Sequence, residues 1–116
     1  MPRPERGEFE NPTKSAFSLE YYDSSWEYDY MKELEADKNV ARWTKNHGIS
    51  IPYFDDEGKF HTYRPDFLVQ LTDGSVELHE MKGGHLLDNP ITRKKTDAAR
   101  QWCKVRKMEM RLISRF

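Results

Sequence analysis

The spacing of apolar and polar positions changes several times along the chain, and each change marks an element. In SWEYDYMKELEAD, Trp26, Tyr30, Met31 and Leu34 recur at three- to four-residue intervals, which predicts a helix from Ser25 to about Asp37. Ser24 stands before it with Glu27 three residues on, the pattern of a capping box. NVARWTKNHG fits either a short helix or a strand with Val40 and Trp43 inward, and Gly48 ends it. ISIPYF reads as a strand, DDEG as a turn, and KFHTYRPDFLVQL as a longer strand. TDGS turns the chain again into a strand VELHEMK, and GGHLLDNP is a loop. Asp88 or Asn89 caps a second helix that has Pro90 in its first turn and runs to about Lys107. Its buried side is expected to be Ile91, Ala98, Ala99, Trp102 and Val105, and MEMRLIS follows as a final strand. A helix, three or four strands, a helix and a strand predict an α/β fold, a mixed sheet flanked by helices.

The 116 residues suit one domain with a modest core, and three Trp, six Tyr and six Phe argue for a folded chain. The opening MPRPERGEFENPTKSA has no apolar centre of the kind a signal peptide needs. Residues 1–16 are therefore expected to be a flexible arm and 17–116 the domain. One cysteine, Cys103, excludes an intrachain disulfide and fits a reducing, cytoplasmic setting. No apolar run approaches the roughly 20 residues that span a bilayer, so no membrane role is expected.

The net charge of −1 hides an asymmetry. Residues 1–40 hold ten acids and five bases, 41–116 hold fourteen bases and ten acids, and 90–107 alone hold seven bases and one acid. Such a basic face either solvates a helix or meets a polyanion. Arg93, Lys94, Lys95, Arg100 and Lys104 are the candidate phosphate contacts, which give affinity without sequence information.

The stretch YRPDFLVQLTDGSVELHEMKGG reads as a hairpin, and its turn decides where the charges point. A two-residue Asp-Gly loop would pair Thr72 with Ser75 and set Asp66 opposite Met81. A three-residue loop with Gly74 left-handed, forming a G1 bulge, would pair Leu71 with Ser75 and set Asp66 opposite Glu80. The second register is expected. It gathers Asp66, Glu80 and Lys82 on one surface, where opposed carboxylates repel and a divalent cation could offset them. Oxygen ligands suit Mg²⁺ or Mn²⁺.

Pro65-Asp66, thirteen intervening residues and then Glu80-Met81-Lys82 resemble the PD-(D/E)xK nuclease superfamily. Ser-Ser-Trp-Glu opening a helix, Tyr-Arg-Pro-Asp-Phe-Leu-Val, Glu-Met-Lys-Gly and a following basic helix resemble small TnsA-type transposon endonucleases. They are also similar to phage Holliday-junction-resolving endonucleases and to the nuclease domain of some type III restriction subunits. The resemblance covers about residues 24 to 114. It implies a restriction-endonuclease-like fold and a Mg²⁺-dependent DNA endonuclease, with Mn²⁺ as a substitute ion. It also implies that Asp66, Glu80 and the main-chain carbonyl of Met81 bind the metal, and that Lys82 orients water and stabilises charge on phosphorus.

Glu27 lies at the edge of the helical stripe and is expected as a further catalytic or metal-binding carboxylate, as a helix cap, or as both. His79 falls on the opposite face from Glu80 and is expected to be packed; His85 could reach a phosphate from its glycine loop. Cutting two strands requires two sites, so a homodimer or a partner subunit is expected. The alternative from another class is a catalytically silent nuclease fold that binds nucleic acid or a protein partner.

Overall fold

The computed structural model describes residues 6–83 and 89–114. Strands β1 (Gly7–Glu10) and β2 (Leu19–Tyr22) form an antiparallel pair ahead of helix α1 (Ser25–Ala36). Strands β3 (Val40–Thr44), β4 (Ile51–Phe54), β5 (Phe60–Tyr63), β6 (Phe67–Leu71) and β7 (Val76–Lys82) follow. Helix α2 (Pro90–Val105) then leads to β8 (Glu109–Ser114). The main sheet has the order β3-β6-β7-β8; β7 and β8 are parallel and the other pairs antiparallel, so the sheet is mixed as expected. Among the described residues no helix is long and apolar enough to cross a membrane.

Each face of the sheet carries one helix. Phe67 and Val69 of β6 pack with Tyr30, Met31 and Leu34 of α1 and with Val40 and Trp43 of β3. Leu78 of β7 and Met110 of β8 pack with Ala99 and Cys103 of α2, with Leu68 and Leu112 beside them. Strand alternation assigns these sets: odd-numbered residues of β6 and β7 face α1, even-numbered ones face α2.

Several expectations are corrected. The segment expected to be a flexible arm carries β1, whose Phe9 ring lies 5.5 Å from Tyr28 and 6.0 Å from Trp43. The loop after β1 is tied down by Glu35, which accepts hydrogens from Thr13 N, Lys14 N and Trp43 Nε1 at 2.7–3.0 Å. Burial would raise the Glu35 carboxyl, but these bonds outweigh it and hold the group below its usual range. Of the two readings of NVARWTKNHG the strand is the one that forms, over Val40–Thr44, with Val40 and Trp43 inward. The long strand KFHTYRPDFLVQL is broken between Tyr63 and Phe67, and β4 and β5 form a separate two-stranded sheet. Pro65 has no N–H to continue a ladder and restricts Arg64 before it, so the chain turns there.

On α1 the buried stripe is Glu27, Tyr30, Met31 and Leu34, while Trp26 is 44 % exposed. Glu27 falls close in helical angle to Leu34, seven residues on, and Trp26 lies further round. On α2 the buried residues are Thr92, Ala99 and Cys103; Ile91 and Val105 are exposed, and Ala98 and Trp102 are partly buried. The small side chains let the helix approach the sheet, and hydrophobicity alone misplaced the stripe by about a quarter of a turn. Asn89 is the cap, accepting from Ile91 N at 2.9 Å; the rival Asp88 lies outside the described residues.

Candidate active site

The turn between β6 and β7 sets the geometry. Leu71 N donates to Ser75 O and Gly74 N to Leu71 O, both at 2.9 Å, and Gly74 has φ +91°. This is the three-residue loop with a left-handed glycine. The ladder then pairs Leu68 with Leu78 and Phe67 with His79. One step further, Asp66 meets Glu80, and two hydrogen bonds fasten them. Asp66 N donates to Glu80 Oε1 at 3.1 Å, and Met81 N donates to Asp66 Oδ2 at 2.8 Å. Side chains thus extend the ladder past the end of β6.

Both carboxyls are pushed above their usual range, Glu80 further than Asp66. Burial is the main cause for each; Glu80 is raised further by the Asp66 charge, and Asp66 by that of Glu27. Lys82 Nζ lies 3.8 Å from Glu80 Oε2 and lowers both in part. The Tyr63 hydroxyl, at the end of β5, faces the Glu80 carboxylate and holds its pKa down in part, while burial pushes that phenol well up.

Of the residues expected at a site, Asp66, Glu80, Met81 and Lys82 are therefore together. Glu27 arrives from the α1 side and does not join the pair directly. Its amide donates to Ser24 Oγ at 3.2 Å, the expected cap, and its Oε1 accepts from Asp23 N at 2.9 Å. The same oxygen meets Lys45 Nζ at 2.6 Å, and Lys45 Nζ is 3.8 Å from Asp66 Oδ1. Lys45 thus stands between Glu27 and Asp66. Among the described residues no group of three or more His, Cys, Asp or Glu side chains is placed to hold a metal ion.

The basic residues of α2 divide. Arg93, Arg100 and Lys104, seven and four residues apart, share one exposed ridge. Lys94 is paired with Asp56 of the β4–β5 turn at 2.8 Å, and Lys95 lies 5.7 Å from the centre of the Tyr63 ring, next to the acids. His79 is packed on the α1 side as expected: Nδ1 meets Tyr30 Oη at 2.6 Å and Nε2 meets Glu77 Oε1 at 2.9 Å. Burial lowers its pKa, so the neutral ring suits this setting. His85 lies outside the described residues.

Sequence reasoning missed four supports. Lys45 follows β3 with no spacing to mark it. Glu20, 1 % exposed, holds it in place by accepting Lys45 N at 2.9 Å and Thr44 Oγ1 at 2.6 Å. Tyr63, three residues before Asp66, was read only as part of a strand. His47 Nε2 donates to Pro65 O at 2.7 Å while its Nδ1 accepts from Ile49 N at 2.9 Å, which fixes the chain just before Asp66. A cleft of about 390 Å³ opens beside these groups, lined by Asp23, Lys45, Arg64 and Asp66 among others.

A family model described as TnsA-like endonuclease N terminal matches residues 37–115, a family with the restriction-endonuclease-like PD-(D/E)xK fold. Asp66, Glu80 and Lys82 fall inside the match; Glu27, on α1, falls before it. No curated protein matches the chain.

Proposed function

Because the chain belongs to the TnsA-like endonuclease N-terminal family, we propose that it is a metal-dependent DNA endonuclease of the transposon type, hydrolysing phosphodiester bonds. The observation that carries this reading is the pairing of Asp66 with Glu80 at the end of the two central strands. Opposed, desolvated carboxylates cost stability unless a cation shares them. The donor set fits a hard divalent ion: two carboxylates and the Met81 carbonyl, all oxygen. Mg²⁺, or Mn²⁺ in its place, polarises a phosphate and acidifies a bound water when present.

The remaining work falls to the protein. Asp66 and Glu80 would hold the ion, with the buried Tyr63 phenol facing the Glu80 carboxylate. The Lys82 ammonium, a compact point charge, stabilises charge that builds on the phosphate and orients the attacking water. The α2 ridge holds the DNA backbone without reading bases. Two cuts require two sites, hence a homodimer or a partner subunit.

The test is cleavage of linear, supercoiled and four-way-junction DNA with Mg²⁺, Mn²⁺ or EDTA, by wild type and Asp66→Asn. Metal-dependent nicking that the variant loses, with DNA binding kept, is the expected result; equal cutting by the variant sinks the reading. Efficient junction cleavage by the protein alone would instead favour a resolvase. The Lys45–Glu27 pair is the observation that favours a silent binding module, which would bind DNA and cut in neither metal.

A further inference from the structure

We infer that Lys45 is the resident cation on the Glu27 side of the site, so that the site takes one divalent ion and Glu27 stays outside its ligand set. This rests on the metal reading above and concerns how many ions that site holds. The Lys45 ammonium is 2.6 Å from Glu27 Oε1, 3.8 Å from Asp66 Oδ1 and 3.9 Å from Asp23 Oδ2. Three carboxylates, one from α1 and two from connecting segments, converge on one nitrogen.

Lys45 is not a loose surface side chain. Its own side chain is 14 % exposed, and its ammonium lies 5.3 Å from the centre of the Phe67 ring. Both its main-chain groups are held: the amide donates to Glu20 Oε1 at 2.9 Å, and the carbonyl accepts from Arg64 Nη2 at 2.7 Å. Glu20 is almost fully buried, so the anchor is part of the fold. Glu27 is committed in turn, because Oε1 also accepts from Asp23 N.

A divalent ion placed between Glu27 and Asp66 would meet this ammonium at close range, and like charges so near repel strongly at low dielectric. Expelling Lys45 would strand Glu27, 7 % exposed, without its cation. The Asp66–Glu80 side is the one left for metal. Lys45 also lines the cleft beside Asp66, so its charge stands ready for a phosphate on the flank away from Lys82.

Mn²⁺ titration, read as bound ions per chain by electron paramagnetic resonance and by calorimetry, tests the assignment without reference to turnover. Wild type is expected to bind one ion. Asp66→Asn should weaken it by more than about 100-fold, beyond the roughly 10–100-fold that loss of an outer partner costs, and Glu27→Gln should change affinity by less than about threefold. Lys45→Met should gain a second ion and Lys45→Arg should return to one. Two ions in wild type, a tenfold loss in Glu27→Gln, or no gain in Lys45→Met overturns the proposal. Should Lys45→Met fail to fold in a thermal melt, wild type and Glu27→Gln still decide it. Binding unchanged in both Asp66→Asn and Glu80→Gln would sink the metal reading itself. Two ions in wild type that Asp66→Asn removes would sink only the role of Lys45.

Discussion

The carboxylate of Glu80 accepts the main-chain hydrogen of Asp66, and the carboxylate of Asp66 accepts that of the residue after Glu80. The acids are therefore structural partners as well as mutually repelling charges. Amide replacements separate these roles, because an amide oxygen still accepts the N–H while the charge is gone. Asp66→Asn and Glu80→Gln should each lose about 100-fold or more in Mg²⁺-dependent cleavage, the scale of losing a key electrostatic group. Thermal melts without metal should show unchanged or raised stability, by up to about 1 kcal/mol. A large loss of stability would mean that the charges are needed for folding.

Gly74 sets the register that brings those acids together. A Cβ there would meet nothing within 4 Å, so only the left-handed backbone at φ +91° resists a side chain. Gly74→Ala should cost about 1–2 kcal/mol in urea melts, and Gly74→Asn less. The absence of any cost would remove the left-handed turn from the account.

His47 should make stability fall in mild acid. In its neutral form it donates from Nε2 to Pro65 O and accepts Ile49 N–H at Nδ1, and a second proton would break the latter bond. Burial, opposed in part by the Pro65 bond, holds its pKa below the ordinary 6.5. The unfolded chain thus binds the proton more readily than the folded one. Stability is full above about 6.5 and declines as pH falls from there through the folded value. Urea melts from pH 5 to 8 should show that His47→Gln, which can still donate and accept, flattens part of the decline.

The α2 ridge should govern salt dependence. Each of Arg93→Ala, Arg100→Ala and Lys104→Ala should reduce the log–log slope of DNA affinity against salt by about 0.9, the value of one phosphate contact. Lys94→Ala should change it less, because Lys94 is paired with Asp56. Fluorescence anisotropy from 50 to 200 mM salt measures both.

The hairpin and its acids were legible because strand alternation and an Asp-Gly turn are local signals, and the Gly74 bulge followed from them. The Asn89 cap and the Ser24 cap were legible for the same reason. Lys45 was not, because its meaning comes from Glu27 on one element and Asp66 on another, which no spacing along the chain relates. Helix α2 misled because Thr92, Ala99 and Cys103, its buried residues, are less hydrophobic than the exposed Ile91 and Val105. The N-terminal strand β1 hid in a charged sequence, since what holds that region down, the pairing with β2, the Phe9 ring against Trp43 and the Glu35 carboxylate, comes from residues distant along the chain.

The bulged turn also makes the hairpin sensitive to parity. An extra residue inserted within the loop Thr72–Gly74 lengthens the tip, and every rung below stays intact so long as Leu71 still faces Ser75. The same residue inserted between Val76 and Leu78 exchanges inside for outside along the rest of β7, carrying Glu80 to the side where α1 packs and bringing His79 to the other. An insertion in the loop can spare the acidic pair, whereas one a few residues further on erases it while removing none of the strand's own side chains.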